Sequence, residues 1–188
     1  MLGLNWTTHG PGAALEQFSA EDLSLSDCTP DPIPPFPRPM PGRLAFSYAS
    51  FHSHVERYIS GRGGVDKINV ATQRSIARAF QAAAVAHLLD KLSLGLEWCR
   101  TQDVRVDTVV VSGGVASNFY LRDRYIYHAM RCVPSIDTCV SLTSFGASDG
   151  HRPEITFVYP PPELCTGSAI FLPSVCRSNA PNLKTMLL

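Results

Sequence analysis

The chain lacks several features that would indicate a function directly. Its 16 basic and 16 acidic residues balance to no net charge and form no long run of either sign, so a dedicated nucleic-acid arm or membrane-surface helix is not indicated. The longest apolar stretches fall well short of the ~20 residues that a membrane-spanning helix needs. Neither a dinucleotide nor a P-loop fingerprint occurs, and H-x-x-x-H and H-E-x-x-H metal motifs are missing. We therefore expect a soluble protein without a membrane partner.

The six cysteines also lack a pairing pattern, since no two of them form C-x-x-C. The first residues contain neither a secretory hydrophobic region nor a basic, serine-rich transit peptide. We interpret the cysteines as free thiols in a reducing compartment and assign no function to Cys132 and Cys139. Because MLGLNW opens at once on apolar residues, we expect the chain to begin in mid-fold.

What is present is the composition of a folded domain, with 188 residues of which 45% are hydrophobic. Residues 10–27 show a short helix pattern after a Gly-Pro-Gly turn. Residues 28–42 carry seven prolines, which exclude a helix or central strand. A disordered linker is one interpretation, but the segment leads directly into LAFSYASFHSHVERYI, whose pattern predicts a strand and then a helix.

Residues 65–100 form the longest periodic segment and predict a helix buried on several sides, because apolar residues cover most of its circumference. Asp66 or Thr72 could cap its start, and Gly95 is expected to weaken its end. The repeating apolar positions are Ile76, Phe80, Ala84, Leu88, Leu92 and Leu96.

A buried strand is predicted at Thr108–Val111, followed by a glycine turn and a second helix, which is the order of an α/β layer. A further strand is predicted at Ile155–Tyr159 before three prolines. Residues 132–153 between them show no period and are longer than an ordinary connection. The tail, residues 168–188, has no usable period either.

The glycine turn is the candidate binding site. Gly113 and Gly114 permit close backbone approach, and the N-terminus of the following helix suits an anion such as a phosphate. Asn118 can donate and accept hydrogen bonds there, or it can simply cap the helix. A plain strand-to-helix turn has the same residues, so both interpretations stay open. Ser112 lies outside the G-x-S-x-G pattern of a nucleophile elbow.

His52 and His54 are a second, weaker candidate. On a strand they would share a face and could offer two imidazoles to a metal. No third ligand of suitable spacing is near them in the sequence, which favours ordinary surface or half-buried histidines.

Four collinear segments together resemble the tRNA threonylcarbamoyladenosine transferases, a family of the actin-like and sugar-kinase-like ATPase superfamily. They are FPRPMPGRLAFSYASFHSHVERYI, similar to the family's PRPM…FSFSGLKT; SIARAFQAAAVAHLLDKL, similar to its central helix; VVVSGGVASNFYLRDR, similar to its GGVAAN…LR turn; and FVYPPPELCT, similar to the run before its CTDN motif. The resemblance covers about Gly10 to Arg131 and again Glu154 to Thr166.

The resemblance implies an α/β fold that is part of an actin-like ATPase (ASKHA) fold, mainly its C-terminal lobe with a long central helix. It implies an acyltransferase that moves threonylcarbamoyl from its adenylate to the tRNA adenosine beside the anticodon, so tRNA and threonylcarbamoyl-adenylate would be the partners. Gly113, Gly114 and Asn118 would contact the nucleotide part of the adenylate. The PRPM form is similar to the bacterial and mitochondrial branch, which implies a mitochondrial location, with the cytoplasm as the alternative. A homodimer is a further expectation.

The departures from the family pattern concern the metal. Family members hold a divalent metal ion with two histidines of a first-lobe H-x-x-x-H and the Asp of CTDN, whereas this chain has no such histidine pair and has Gly167 at the Asp position. Neither glycine nor the following serine replaces a carboxylate ligand. We therefore expect no metal site in this chain and leave its catalytic residues unassigned.

The resemblance also implies how the chain is organised into domains. Residues 1–27 would be a remnant of the inter-lobe region, residues 28–131 the C-terminal lobe and residues 154–167 the last family-like strand. The irregular insertion at 132–153 and the atypical tail at 168–188 suggest a gene-model or splicing error. The expected function is a truncated transferase that is inactive as an isolated chain.

Two alternatives accompany this function. One is a non-catalytic nucleotide-binding or assembly module derived from the lobe. The other is a small-molecule kinase of the same superfamily, against which the FSYASF and PPPELCT segments argue.

Overall fold

The computed structural model describes residues 2–4, 10–21, 29–104, 106, 108–111, 113–124, 156–159 and 186–187. The predicted insertion at 132–153, both of its cysteines, and Gly167 lie outside the described residues. Within the described ranges the fold mixes helices with a parallel sheet, which agrees with the α/β prediction. The helices are α1 (Pro11–Ala20), α2 (Ala49–Ser60) and α3 (Val70–Thr101), with 3-10 helices at Val65–Lys67 and Gly114–Ser117 and a helical segment at 119–124. The strands are β1 (Thr108–Val110), β2 (Thr156–Val158) and β3 (Met186–Leu187).

The chain divides into two compact units, Met1–Leu92 and Ser93–Leu188. The first unit has its core where α2 meets α3. On α2 the buried residues are Phe51, Val55, Tyr58 and Ile59, which recur at the spacing of one helix face. Ile68 and Ile76 complete the cluster, and partly buried Leu2, Ile33, Phe36, Val65 and Phe80 pack against it.

The long helix α3 is buried on several sides, as predicted, and its start is capped by a residue that the sequence did not indicate. Asn69 Oδ1 accepts the backbone N–H of Thr72 at 2.7 Å, which is the N-cap hydrogen bond. The predicted caps are wrong: Asp66 lies in the preceding 3-10 helix, and the Thr72 hydroxyl accepts the backbone N–H of Asp31 at 2.8 Å. The helix continues past Gly95 to Thr101, and a weakening effect of Gly95 on this end stays a prediction.

The proline-rich connector is held against the helices of the first unit. Besides the bond to Thr72, the Tyr58 hydroxyl donates to Pro32 O at 3.3 Å, and Lys91 Nζ donates to Met40 O at 2.5 Å. Residues 29–39 are neither helical nor strand, in agreement with the prolines. These side-chain anchors favour an ordered connector over a disordered linker.

The strand predicted at the start of LAFSYASFHSHVERYI is not formed. Residues 45–48 are neither helical nor strand, and α2 begins at Ala49. The reason is that side chains of α3 satisfy this segment in place of a neighbouring strand. Ser47 donates its backbone N–H to His87 Nε2 at 3.3 Å, and the rings of Phe46 and Tyr48 pack edge-on against His87.

The second unit contains a three-stranded parallel sheet in the order β2-β1-β3. β1 aligns Val109 with Phe157 of β2 and with Met186 of β3. Val109 and Val111 are buried, as a central strand of a covered parallel sheet requires. The strands predicted at 108–111 and 155–159 are therefore confirmed as β1 and β2. β3 was missed, because two residues in the tail are too few to show a period.

Two further features concern the described residues only. None of the helices in these ranges combines the length and apolarity that would let it cross a membrane. Cys99 is a free thiol, in agreement with its interpretation.

Candidate nucleotide-binding turn

The candidate site begins where β1 ends, at Gly113. Its backbone has φ 92° and ψ 176°, a combination that essentially only glycine adopts. A Cβ atom built at this position would meet no atom within 4 Å. Glycine is therefore needed here for the backbone conformation rather than for tight packing, and the side of the turn on which a Cβ would stand is open to an approaching group.

The turn continues as a short 3-10 helix, Gly114–Ser117. Ala116 donates its N–H to Gly113 O at 2.9 Å, and Asn118 donates to Val115 O at 3.1 Å. Ala116 is fully buried, whereas Val115 is 63% exposed. The turn thus packs through its small alanine and presents the stretch from Gly113 to Val115 outward.

Asn118 caps the helical segment 119–124. Its side-chain Oδ1 accepts the N–H of Leu121 at 2.8 Å, and its backbone carbonyl accepts the N–H of Arg122 at 3.1 Å. Of the two roles left open by the sequence, the structure shows the cap. Contact with a nucleotide stays a prediction, and it would involve the Nδ2 donor, because Oδ1 is used by the cap.

Arg122 is a residue of this turn to which sequence reasoning gave no role. Its Nε donates to Ala116 O at 2.6 Å, and its guanidinium carbon lies 5.3 Å from the centroid of the Tyr159 ring, just after β2. A permanent positive charge is thereby fixed beside the turn. The signal for it was present in the LRDR sequence that follows Asn118.

The histidine pair does not form a metal site. His52 and His54 lie on α2 rather than on a strand, and residues two apart on a helix point in different directions. His52 Nδ1 lies 3.7 Å from Glu56 Oε2, and His54 Nε2 lies 3.2 Å from Pro34 O. The hypothesis of a shared face is wrong because the segment is helical.

The part of the chain that the structure describes shows no cluster of side chains typical of a divalent-metal site. Within that part, no group of three or more His, Cys, Asp or Glu side chains is close enough to hold an ion. The prediction that position 167 is metal-free falls on a residue outside the described ranges.

Sequence reasoning also missed a buried polar pair on α3. His87 and Lys91 are 5% and 3% exposed, and Lys91 Nζ donates to Asp90 Oδ2 at 2.9 Å as well as to Met40 O. Burial, and next the charge of Lys91, lower the pKa of His87, while Asp90 opposes them. The available signal was a histidine and a lysine one turn apart in a helix whose apolar residues cover most of its circumference.

The chain is similar in sequence to known proteins. Residues 2–171 match the family model described as tRNA N6-adenosine threonylcarbamoyltransferase. A mitochondrial protein of that name from Schizosaccharomyces pombe is 29% identical over 91% of this chain and 37% of its own length. One from Desulfitobacterium hafniense is 35% identical over 73% of this chain and 33% of its own length.

A mitochondrial relative from Arabidopsis thaliana is 27% identical over 68% of this chain and 24% of its own length. The chain thus spans about a third or less of the length of these curated relatives. The family match covers most of the 188 residues and includes the glycine turn, the long helix and the connector. The chain therefore belongs to the tRNA N6-adenosine threonylcarbamoyltransferase family.

Proposed function

We propose that this chain supplies the nucleotide-contacting part of a transferase that moves threonylcarbamoyl from its adenylate to the tRNA adenosine beside the anticodon. The observation that carries the proposal is the turn after β1. Gly113 holds a conformation that leaves one side of the turn open, and the names of the relatives indicate threonylcarbamoyl transfer to a tRNA adenosine.

The geometry suits the adenylate for physical reasons. The exposed backbone from Gly113 to Val115 offers peptide groups to a ligand without an intervening side chain, apart from that of Val115. Arg122 contributes a fixed positive charge beside this turn, which favours a phosphate. The Nδ2 group of Asn118 adds a donor at the start of helical segment 119–124. Binding and orientation of the adenylate are the roles we assign to these residues.

The same reasoning makes residues 1–188 inactive on their own. Transfer needs the adenylate held and its carbonyl polarised by groups that converge on it. By resemblance, Gly167 would stand at the position of the family's metal-binding Asp, and this chain corresponds to about a third of its relatives' length. A cleft that is lined by only one of its two lobes is also expected to bind nucleotide weakly.

The finer assignments are part of the proposal. Residues 28–131 would form most of the C-terminal lobe of the actin-like ATPase fold, with α3 as its central helix. Mitochondrial relatives from S. pombe and A. thaliana support a mitochondrial location. Threonylcarbamoyl-adenylate and tRNA would be the partners, and a homodimer is consistent with this assignment.

Two measurements on residues 1–188 test the proposal. Calorimetric titration with a non-hydrolysable threonylcarbamoyl-adenylate analogue should give weak binding that adenosine monophosphate competes away. Labelled threonine should not enter unmodified tRNA when the adenylate-forming enzyme, ATP and bicarbonate are supplied. Turnover by this chain alone would show that the chemistry rests on other residues. Nucleotide binding without turnover, even after fusion to the remaining part of a relative, would favour the non-catalytic binding module.

A further inference from the structure

The segment that follows the proline-rich connector carries a concentration of exposed apolar side chains. Met40, Leu44, Phe46 and Tyr48 are 39%, 56%, 50% and 41% exposed. We call these four residues the aromatic patch. Single exposed apolar residues are ordinary, but four within nine positions of the chain are a concentration that calls for a partner.

Two rings of the aromatic patch are held in a fixed arrangement. Phe46 and Tyr48 lie parallel within 5°, with ring centroids 6.4 Å apart. The buried His87 ring is perpendicular to both, at 5.9 Å and 5.4 Å. Since the Ser47 N–H also bonds to His87 Nε2, the backbone between the two rings is tied to α3. The pair is therefore organised before any ligand arrives.

The segment that carries the aromatic patch has a positive net charge. Arg38 and Arg43 are exposed within the same segment, and residues 32–48 contain no acidic residue. The buried ammonium group of Lys91, which donates to Met40 O, is also paired with Asp90 Oδ2. Exposed parallel rings flanked by arginines are the combination with which proteins bind unpaired nucleic-acid bases.

We propose that the aromatic patch, with Arg38 and Arg43, binds an unpaired base and the adjoining phosphates of an RNA loop. The proposal rests on the proposed function, because the relatives' names identify tRNA as the substrate. A protein partner would also accept Met, Phe, Tyr and Arg. The parallel pair and the local excess of positive charge favour RNA, since planar bases stack on rings and phosphates pair with guanidinium groups.

The test is direct binding of residues 1–188 to a fluorescein-labelled RNA hairpin with a seven-nucleotide adenosine-containing loop, measured by anisotropy. The double variant Phe46→Leu, Tyr48→Leu keeps apolar bulk and removes both rings, so affinity should fall roughly tenfold. Trp98→Leu removes a ring that is 54% exposed on α3 and should leave affinity unchanged. Arg43→Gln should weaken binding and reduce its salt dependence by about one phosphate contact, whereas Lys67→Gln should not.

The outcomes separate this inference from the proposed function. Three results would each overturn the inference of RNA-loop binding. These are equal affinity of the wild type and the ring variant, equal affinity of the wild type for the hairpin and for a fully paired duplex, and no RNA binding at all. The calorimetric titration with the adenylate analogue should be the same for the wild type and the ring variant. A difference in that titration would mean that the ring variant disturbs the fold. The double variant Arg38→Gln, Arg43→Gln alters only exposed groups, and its RNA affinity then tests the inference: an affinity equal to that of the wild type would overturn it. Loss of self-association in the ring variant with unchanged RNA affinity would identify a protein interface instead.

Discussion

The carboxamide oxygen of Asn118 lies 2.8 Å from the backbone nitrogen of Leu121 and accepts its N–H. The residue expected to contact a nucleotide is thus also the cap of the helical segment that begins beside the glycine turn. Loss of the whole side chain would remove both contributions at once. Experiments on this site must therefore separate binding from stability.

Asn118→Ser makes that separation, because serine caps a helix about as well as asparagine but has no amide nitrogen. We expect its melting temperature to stay near that of the wild type and its affinity for the adenylate analogue to fall several-fold. Asn118→Ala should also destabilise the chain by about 1 kcal/mol. Calorimetric heats for Asn118→Ser equal to those of the wild type would remove the amide from the binding site.

Gly113→Ala tests whether the conformation of the turn matters. The new methyl group meets open space, so the cost comes from the backbone at φ 92° and ψ 176° and should be about 1–3 kcal/mol. Gly12→Ala, in the first turn of α1, is the matched control: its Cβ also meets open space, and alanine favours the helix. Chemical denaturation measures the stability of both variants. Similar stabilities of Gly113→Ala and Gly12→Ala would show that a side chain at position 113 does not strain the backbone.

The parts of the fold that could be predicted from the sequence are those with a sustained pattern. Helix α3 shows an apolar repeat over many turns, and β1 is a run of β-branched residues between clear boundaries. The glycine turn was recognisable because Gly113 and Gly114 follow closely after that run. The sequence left the cap of helical segment 119–124 as one of two roles for Asn118. The side-chain hydrogen bond to Leu121 depends on local geometry that the sequence does not specify.

The parts that could not be predicted depend on contacts distant in sequence. The stretch 45–48 alternates like a strand, but α3 supplies a histidine acceptor and an aromatic contact in place of a partner strand. Lys91 is buried because the carbonyl of Met40 lies within reach. β3 pairs two tail residues with β1. Local pattern contains no information about such pairings.

The start of α3 offers a direct test of the corrected cap. Asn69→Ala should lower the free energy of unfolding by about 1 kcal/mol, because the N–H of Thr72 loses its acceptor, and Asn69→Asp should restore it. Asp66→Ala, which alters the cap first suggested by the sequence, should change stability by less than about 0.5 kcal/mol. Urea denaturation of the three variants measures these differences. A larger loss for Asp66→Ala than for Asn69→Ala would contradict the assignment.

His87 should make the stability of the chain depend on pH. Its Nε2 accepts the Ser47 N–H and must be unprotonated in the fold, and burial followed by the charge of Lys91 lowers its pKa below the ordinary 6.5, with Asp90 opposing. The unfolded chain therefore binds the proton more readily. The contribution of neutral His87 is complete above pH 6.5 and is lost as the pH falls toward and through the lowered pKa, by up to about 1.4 kcal/mol per pH unit.

The matched variants are His87→Gln, which can still accept from Ser47 but does not titrate, and His52→Gln, which removes a mostly exposed histidine paired only with Glu56. Melting temperatures measured from pH 8 down to about 5, above the range in which most carboxylates titrate, should fall for the wild type and for His52→Gln. The curve of His87→Gln should be flatter over the same range. Parallel curves for all three proteins would mean that His87 does not change its protonation on unfolding. The contribution of its ring would then be limited to packing against Phe46 and Tyr48.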